Sequence, residues 1–392
     1  MPSPVPDSAS IADSNGHVGR SSLLLLGIVG PLSLWDFYIG EIKVFDFLGL
    51  ALGVLALGAL FLARSDAGLR LDRGTMLVTS TLFVLILAYC IVGIAGHPDN
   101  LKPAVGVLLG VCVLICVALL PLDLRSLEKC IRLIAYVHLG AFFLQLAYYL
   151  ATRQVLNFHS YFGLQPRLLS SVFRPAGLFL EPAIYCFFAA SLYLLRRQHA
   201  IPHTRLDMLM LISMVLSLSL WGVAMAYVLF ALFRPRMAFV TTSIAALVLT
   251  VFIQVAAYEQ SPVYKLFEMR LSNLGGDASA QGRFGGTLGL LGEALTNPTM
   301  VFGDGINNFF EEHGSNGLSF ILNSMGIIGA SILIFLCLLL AVPGRWMLFL
   351  IALCIALTAA PLWKTFYFWA WIGLMLKSLP GFALQGRRLA QA

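Results

Sequence analysis

Hydrophobic residues occur in long runs separated by short polar joints along most of the chain. An apolar helix of about 20 residues is long enough to cross the hydrocarbon core of a bilayer. The pattern therefore predicts membrane-spanning helices near 22–38, 42–63, 77–96, 104–121, 131–150, 178–195, 237–257, 319–342, 346–360 and 363–378.

The stretch 206–233 is too long for one ordinary span and too short for two full ones, and Ser217, Ser219 and Gly222 lie at its middle. Basic residues are enriched on the cytoplasmic side of membrane proteins. If the stretch crosses twice, or dips in and returns, most of the 25 Lys and Arg residues fall on one side. A single crossing would instead place six basic residues outside: Arg234, Arg236, Arg345, Lys377, Arg387 and Arg388. The charge pattern therefore favours two segments in 206–233 over one. The chain then has twelve segments, and both termini are cytoplasmic.

The composition supports the same class of protein. Hydrophobic residues make up 59% of the 392 residues and charged residues 11%, whereas a soluble domain carries roughly 25% charged residues. We therefore expect an all-α, polytopic integral membrane protein, with a cytoplasmic tail at 1–20, a membrane domain at 21–380 and a second tail at 381–392. Its net charge of +6 reflects topology and predicts no nucleic-acid partner. The seven cysteines lie in or at the ends of apolar runs, which indicates neither a disulfide framework nor a zinc site.

Two joints are long, 151–177 and 258–318, and both fall on the external face in this topology. Long connections without regular structure are often functional. Against the charge bias of that face, they contain a group of arginines that includes Arg167, Arg174, Arg270 and Arg283. Binding to lipid headgroups is the simpler interpretation for Arg167 and Arg270. The surroundings of Arg174 and Arg283 favour a functional role.

Arg174 begins the segment Arg174-Pro-Ala-Gly177-Leu-Phe-Leu-Glu181-Pro182-Ala-Ile-Tyr185. Proline is favoured at the first position of a helix, so Glu181 is predicted to lie at a helix N-terminus. A carboxylate there matches the helix dipole. The alternative is a catalytic base, or an anchor for a sugar hydroxyl, beside Arg174.

The second loop combines turn-forming residues with acidic residues and a histidine. It contains Gly303-Asp304-Gly305, then Glu311-Glu312-His313, then Ser315-Asn316, and leads to Gly326-Ile-Ile-Gly329. His313 is either a solvated loop residue or part of a site. The acidic residues lack the spacing of a metal site, so we expect no metal and no other cofactor.

These residues give the chain a resemblance to the bacterial O-antigen and capsular polysaccharide polymerase (Wzy) family, within the wider group that includes O-antigen ligases. The likeness covers the layout of many spans with a large late periplasmic loop. Locally it rests on Arg174-x-x-Gly177-x-x-x-Glu181-Pro182, on the Ser217–Gly222 break, and on Gly303-x-Gly305 followed by Asn316 and Gly326-Ile-Ile-Gly329.

The resemblance implies an inner-membrane enzyme that joins glycan repeat units carried on undecaprenyl pyrophosphate, at the periplasmic face, without a metal. Arg174 and Arg283 would contact the pyrophosphate, since arginine is a planar, permanently charged donor. Glu181 or His313 would be the base, because attack by a sugar hydroxyl needs one within hydrogen-bond reach. Further substrate contacts would come from Arg167, Arg270, Tyr185 and Asn316. The implied partners are the lipid-linked oligosaccharide, the bilayer, a chain-length regulator and a flippase.

Two other functions remain open at this point. A ligase would transfer finished polymer to lipid A-core, but ligases of this group carry His-Asn where this chain has Ser315-Asn316, so the pattern favours a polymerase. A lipid-linked glycan flippase or other transporter would usually show repeated halves and ionisable residues near the bilayer midplane. Here the polar residues gather instead in the two external loops.

Overall fold

The computed structural model describes residues 25–34, 73–119, 124–158, 173–179, 181–201, 205–233, 299–306, 317–340 and 366–376, together with positions 48, 51 and 54. Within these ranges every regular element is a helix, and no strand occurs. The predicted all-α class is therefore confirmed for the described part of the chain.

The helices follow the predicted apolar runs. Their bounds are α1 Arg73–Gly96, α2 Leu101–Leu119, α3 Leu124–Thr152, α4 Pro182–Gln198, α5 Arg205–Leu216, α6 Leu220–Phe233, α7 Thr299–Phe302, α8 Gly317–Leu340 and α9 Phe366–Leu376. Residues 25–32 are also helical. The predicted spans 237–257 and 346–360, and most of 42–63, lie outside the described residues.

Two described helices, Pro98–Val117 and Leu124–Thr152, are long and apolar enough to cross a membrane, by length and composition alone. The surface of the second fits this interpretation. On α3 the side chains of Leu133, Val137 and Leu144 are 47%, 51% and 54% exposed. A contiguous apolar surface of this kind marks a site of interaction with another molecule or with a membrane.

Helix α4 lies at the centre of the described bundle, because nearly all of its side chains are buried. Its middle is joined to α9, where the Ser191 and Tyr367 hydroxyl oxygens are 2.7 Å apart and the Trp371 indole N–H donates to the Ser191 carbonyl at 3.0 Å. Its C-terminal end is joined to the same helix, since the Gln198 side chain donates to the Met375 carbonyl at 3.1 Å. Helix α4 is therefore joined to α9 both at its middle and at its C-terminal end.

The predicted break in 206–233 is present, and the chain turns back there. Residues 217–219 separate α5 from α6, and Leu218 has a φ of 54°. Gly222 packs so closely to Met214 that an added Cβ would lie 2.9 Å from the Met214 carbonyl oxygen. In a continuous helix, Met214 and Gly222 would be about 12 Å apart along the axis. Helices α5 and α6 therefore form a hairpin.

Both ends of the hairpin lie at the C-terminal end of α4. The Asp207 carboxylate, in the first turn of α5, accepts from Arg196 at 2.7 Å and from Arg197 at 3.1 Å. At the end of α6, the Phe233 ring lies 5.6 Å from the Tyr193 ring. The hairpin thus leaves this end of α4, runs along the helix and returns.

Neither arm of the hairpin is long enough to cross a bilayer. Helix α5 has 12 residues and α6 has 14. At 1.5 Å per residue these helices are about 18 and 21 Å long, against about 30 Å for the hydrocarbon core. The sequence left open whether 206–233 crosses the membrane twice or dips in and returns. The lengths of α5 and α6 fit a segment that dips in and returns.

Candidate functional site at the N-terminal end of helix α4

Residues 173–179 descend along α3 instead of lying across its end. The Phe173 ring is 4.8 Å from the Tyr149 ring, about one turn before the end of α3. The Phe179 ring stacks on His138 at 5.2 Å, and His138 lies almost four turns, or about 21 Å, before that end. We call this piece the descending segment. The sequence predicted residues up to 177 to be part of an external loop, but most of the segment's residues are buried.

Gln145 supplies the hydrogen bonds that such a buried, irregular segment needs. Buried backbone N–H groups are almost always paired in native structures. The Gln145 carbonyl oxygen accepts from the Ala176 N–H at 3.1 Å and from the Gly177 N–H at 2.8 Å. Its amide group donates to the Leu156 carbonyl at 3.0 Å. One side chain of α3 therefore joins the descending segment to the chain that leaves α3.

Gly177 lies where the descending segment packs against the backbone of α3. Its φ is +62°, a backbone conformation that glycine adopts easily and other residues rarely. An added Cβ would lie 3.4 Å from the His138 carbonyl oxygen and 3.5 Å from the Phe142 nitrogen. The backbone conformation and the nearby α3 backbone thus explain why the Arg174–Pro182 motif has a glycine at this position.

Helix α4 begins as the sequence predicts. Glu181 is its N-cap, with extended φ and ψ of −126° and 137°, and Pro182 occupies the first turn. The Glu181 carbonyl accepts from the N–H groups of Ile184 and Tyr185, both at 3.1 Å. Its side chain makes no capping hydrogen bond to the helix. The carboxylate therefore lies at the positive end of the helix dipole without serving as a hydrogen-bonding cap.

Arg174 lies at the same end of α4. The Arg174 side chain is only partly exposed, and Cys186, in the second turn of α4, is fully buried. Cys186 in turn touches the tip of the α5–α6 hairpin, with its sulfur 3.0 Å from the Ser217 hydroxyl oxygen. An added Cβ on Gly222 would collide with the Cys186 sulfur. The structure thus brings together two motifs of the sequence, Arg174–Pro182 and Ser217–Gly222.

Tyr185 holds this junction together. Its side chain is buried, its hydroxyl donates to the Ser213 hydroxyl at 2.7 Å, and its ring stacks on Phe142 at 4.6 Å. In this arrangement Tyr185 links α4 to both α5 and α3. Its role as a substrate contact stays a prediction.

The third motif forms a separate junction around a kink in α8. Gly326 has a φ of 63° and a ψ of −176°, which interrupts the helix. Such a break removes the helical partners of the carbonyl groups in the preceding turn. The Asp304 N–H donates to the Asn323 carbonyl and the Gly305 N–H to the Ser324 carbonyl, both at 2.9 Å. Gly303-x-Gly305 therefore supplies donors to carbonyls beside the kink.

The same junction is fixed to α1. The Ile306 N–H donates to the Tyr89 carbonyl at 3.1 Å. Gly93 of α1 has no room for a Cβ against the Ile306 backbone, and Gly329 of α8 has none against the Tyr89 ring. The glycines of the third motif serve close packing here, and the chain that enters 307–316 is anchored at Ile306.

Of the predicted site residues, Arg174, Glu181 and Tyr185 are described, and all three lie at the N-terminal end of α4. The other five lie outside the described residues: Arg167, Arg270, Arg283, His313 and Asn316. Their predicted roles stay predictions.

Two buried polar residues next to the descending segment were missed by the sequence reasoning. His138 is 2% exposed, with its Nε2 3.2 Å from the Ser33 hydroxyl oxygen, and Gln145 is 5% exposed. Both interrupt the apolar run 131–150. A polar or ionisable residue inside an apolar span is a functional signal in its own right, and this signal could have identified them.

A comparison of the chain with known protein families found no match, and a comparison with curated proteins found no significant match either.

Proposed function

We propose that this chain is a polysaccharide polymerase of the bacterial inner membrane. It joins glycan repeat units carried on undecaprenyl pyrophosphate at the periplasmic face and releases undecaprenyl pyrophosphate. The proposal includes twelve membrane segments with both termini in the cytoplasm. The α5–α6 hairpin accounts for two of these segments and enters from the cytoplasmic side without a full crossing.

The reaction is a single group transfer. A hydroxyl of the acceptor sugar attacks the anomeric carbon of the donor sugar, and the bond from that carbon to the pyrophosphate oxygen breaks. The hydroxyl proton passes to a base, and the electron pair leaves with the pyrophosphate. Catalysis needs positive charge where the leaving group develops negative charge, and a base within hydrogen-bond reach of the attacking hydroxyl. No metal takes part in this proposal.

The residues divide between these two tasks. Arg174 and Arg283 bind the pyrophosphate and neutralise its developing charge, since guanidinium groups stay protonated and form paired hydrogen bonds with phosphate oxygens. Glu181 or His313 accepts the proton or orients the acceptor hydroxyl. The remaining contacts come from Arg167, Arg270, Tyr185 and Asn316.

The observation that carries the proposal is the meeting of Arg174, Glu181 and the hairpin tip at one helix N-terminus. A guanidinium and a helix N-terminal dipole both attract an anionic group. Glu181 lies at the same helix N-terminus, and its carboxylate is the candidate base. Arg174 and Glu181 are partly buried, and charged groups within the membrane region of a protein often mark functional sites.

The same arrangement favours an enzyme over a transporter. In the topology proposed, the descending segment opens toward the end of α3, which is the periplasmic side, while the ion pairs of Asp207 lie at the opposite end of α4. A lipid-anchored pyrophosphate in the outer leaflet would present its head at the periplasmic end. The Ser315-Asn316 sequence, which lacks the histidine of the ligases, favours the polymerase within the enzyme group.

Deletion of the gene that encodes this chain distinguishes the three functions. Loss of a polymerase leaves surface glycans of one repeat unit, which migrate as a single band on a gel. Loss of a ligase removes all attached polymer while the lipid-linked polymer accumulates. Loss of a flippase leaves repeat units on the cytoplasmic leaflet, where a periplasmic glycosidase cannot reach them. Either of the last two results would refute the proposal.

A further inference from the structure

The Gln145 side chain hydrogen-bonds the backbone of the segment between Arg174 and Glu181. Its carbonyl oxygen accepts two consecutive N–H groups, from Ala176 at 3.1 Å and Gly177 at 2.8 Å. Ala176 lies two residues after Arg174, and Gly177 lies four residues before Glu181. The anchored peptides are therefore flanked closely by the two residues that carry the proposed chemistry.

The anchor is rigid at its other end. Gln145 projects from α3, a helix of 29 residues, and its amide group is fixed by the Leu156 carbonyl at 3.0 Å. The side chain is buried, so water cannot easily replace it as the acceptor. A buried donor left without a partner is expensive, and without Gln145 the descending segment would have to move to satisfy two such donors.

We propose that Gln145 is a positioning residue of this site: it holds the descending segment so that Arg174 and Glu181 keep their places at the N-terminal end of α4. The inference rests on the proposed function. It requires no contact between Gln145 and the substrate. A displacement of about 1 Å in a reacting group can cost about a hundredfold in rate, so loss of the anchor affects turnover more than folding.

Two substitutions separate the acceptor from the rest of the side chain. Gln145→Met keeps the length and removes all three hydrogen bonds, whereas Gln145→Glu keeps an oxygen that accepts from Ala176 and Gly177. The full-length protein is purified in detergent and assayed with the glycolipid that accumulates in the deletion strain. We expect Gln145→Met to lower kcat per folded molecule by at least about tenfold and Gln145→Glu to restore most of it. Gln154→Met, on an exposed glutamine two residues beyond the end of the same helix, serves as the control and retains wild-type kcat.

A purely structural role is tested by combining variants. Arg174→Lys keeps a charge but loses the planar donor pair, so it leaves a measurable fraction of the activity. If Gln145 acts by placing Arg174, Gln145→Met costs much less in the Arg174→Lys protein than in the wild type, because coupled residues are not additive. If Gln145→Met acts only through a general loss of folded structure, it should lower the activity by the same factor in the Arg174→Lys protein as in the wild type.

The outcomes also distinguish the inference from the function on which it rests. Full activity of Arg174→Ala would overturn the proposed site itself. If Arg174→Ala is inactive while Gln145→Met has wild-type kcat per folded molecule, the site stands and the positioning role is refuted. Multiplicative effects of Gln145→Met and Arg174→Lys would refute it as well.

Discussion

At the residue scale, Asp207 is the carboxylate on which two arginines of α4 converge. Its carboxylate and the Arg196 side chain are both 1% exposed, and Arg197 is 9% exposed. Removing one partner of a buried ion pair leaves an uncompensated charge and typically costs about 3–5 kcal/mol. We expect Asp207→Ala to destabilise the protein by that amount, measured by thermal unfolding in detergent.

The exposed pair of Glu128 and Arg132 provides the control for this prediction. The two side chains are 30% and 47% exposed and are separated by one helical turn. Exposed pairs of this kind contribute about 0.3–0.5 kcal/mol, so Glu128→Ala should hardly change the unfolding temperature. Equal effects of the two substitutions would contradict the structural role of Asp207.

Gly222 offers a second test, because α4, α5 and α6 meet there. An added Cβ would collide with the Cys186 sulfur and lie 3.1 Å from the Ser217 hydroxyl oxygen. Overpacking of this kind costs about 1–3 kcal/mol, so Gly222→Ala should lower the unfolding temperature and the amount of folded protein in the membrane. Gly140 of α3 has nothing within 4 Å of an added Cβ. There an alanine should be neutral, or stabilise by up to about 1 kcal/mol, and a loss of the same size in both variants would contradict the packing described.

The two kinds of site residue differ in how far the sequence could predict them. The position of Glu181 was predictable because a helix start depends on adjacent residues, here Pro182. The partners of Gln145 were not predictable, because residues 176 and 177 are separated from it by a loop and no local pattern pairs them. A polar residue inside an apolar run is visible in the sequence, but the partner that satisfies it is visible only in the structure.

At the scale of elements, the α5–α6 hairpin and the descending segment shape the candidate site. Charge asymmetry and the Ser217–Gly222 break predicted that 206–233 turns back. The break is a local sequence feature, and the charge asymmetry needs only a count of the basic residues on each side of the membrane. The path of 173–179 was not predictable. Its proline, glycine and arginine are typical of a solvated loop, and its burial depends on the acceptor that α3 provides.

The hairpin predicts a labelling pattern. Single cysteines at Arg205, at the start of α5, and at Arg236, soon after the end of α6, should both face the cytoplasm. We expect a membrane-impermeant maleimide to leave both unlabelled in spheroplasts and to label both after lysis, above the background of the native protein. Labelling of one position from outside and of the other from inside would mean a single crossing and would contradict the dip and return.

At the scale of the whole molecule, the composition predicted an apolar helical bundle. The described part is all-helical, with two helices able to cross a membrane by length and composition. The α4 helix and its neighbours add an internal polar site, which composition alone does not predict. The proposed activity connects the two features, because a lipid-linked pyrophosphate needs both an apolar surface for its tail and a charged pocket for its head.

The most direct measurement is the conversion of lipid-linked repeat units into polymer by the purified full-length protein. The substrate is the glycolipid extracted from the deletion strain, and the product is read as a ladder on a gel. We expect a ladder from the wild type and from Arg153→Gln, which changes an exposed arginine at the end of α3. We expect none from Arg174→Ala at an equal amount of folded protein. A full ladder from Arg174→Ala, or no extension by the wild type, would contradict the account.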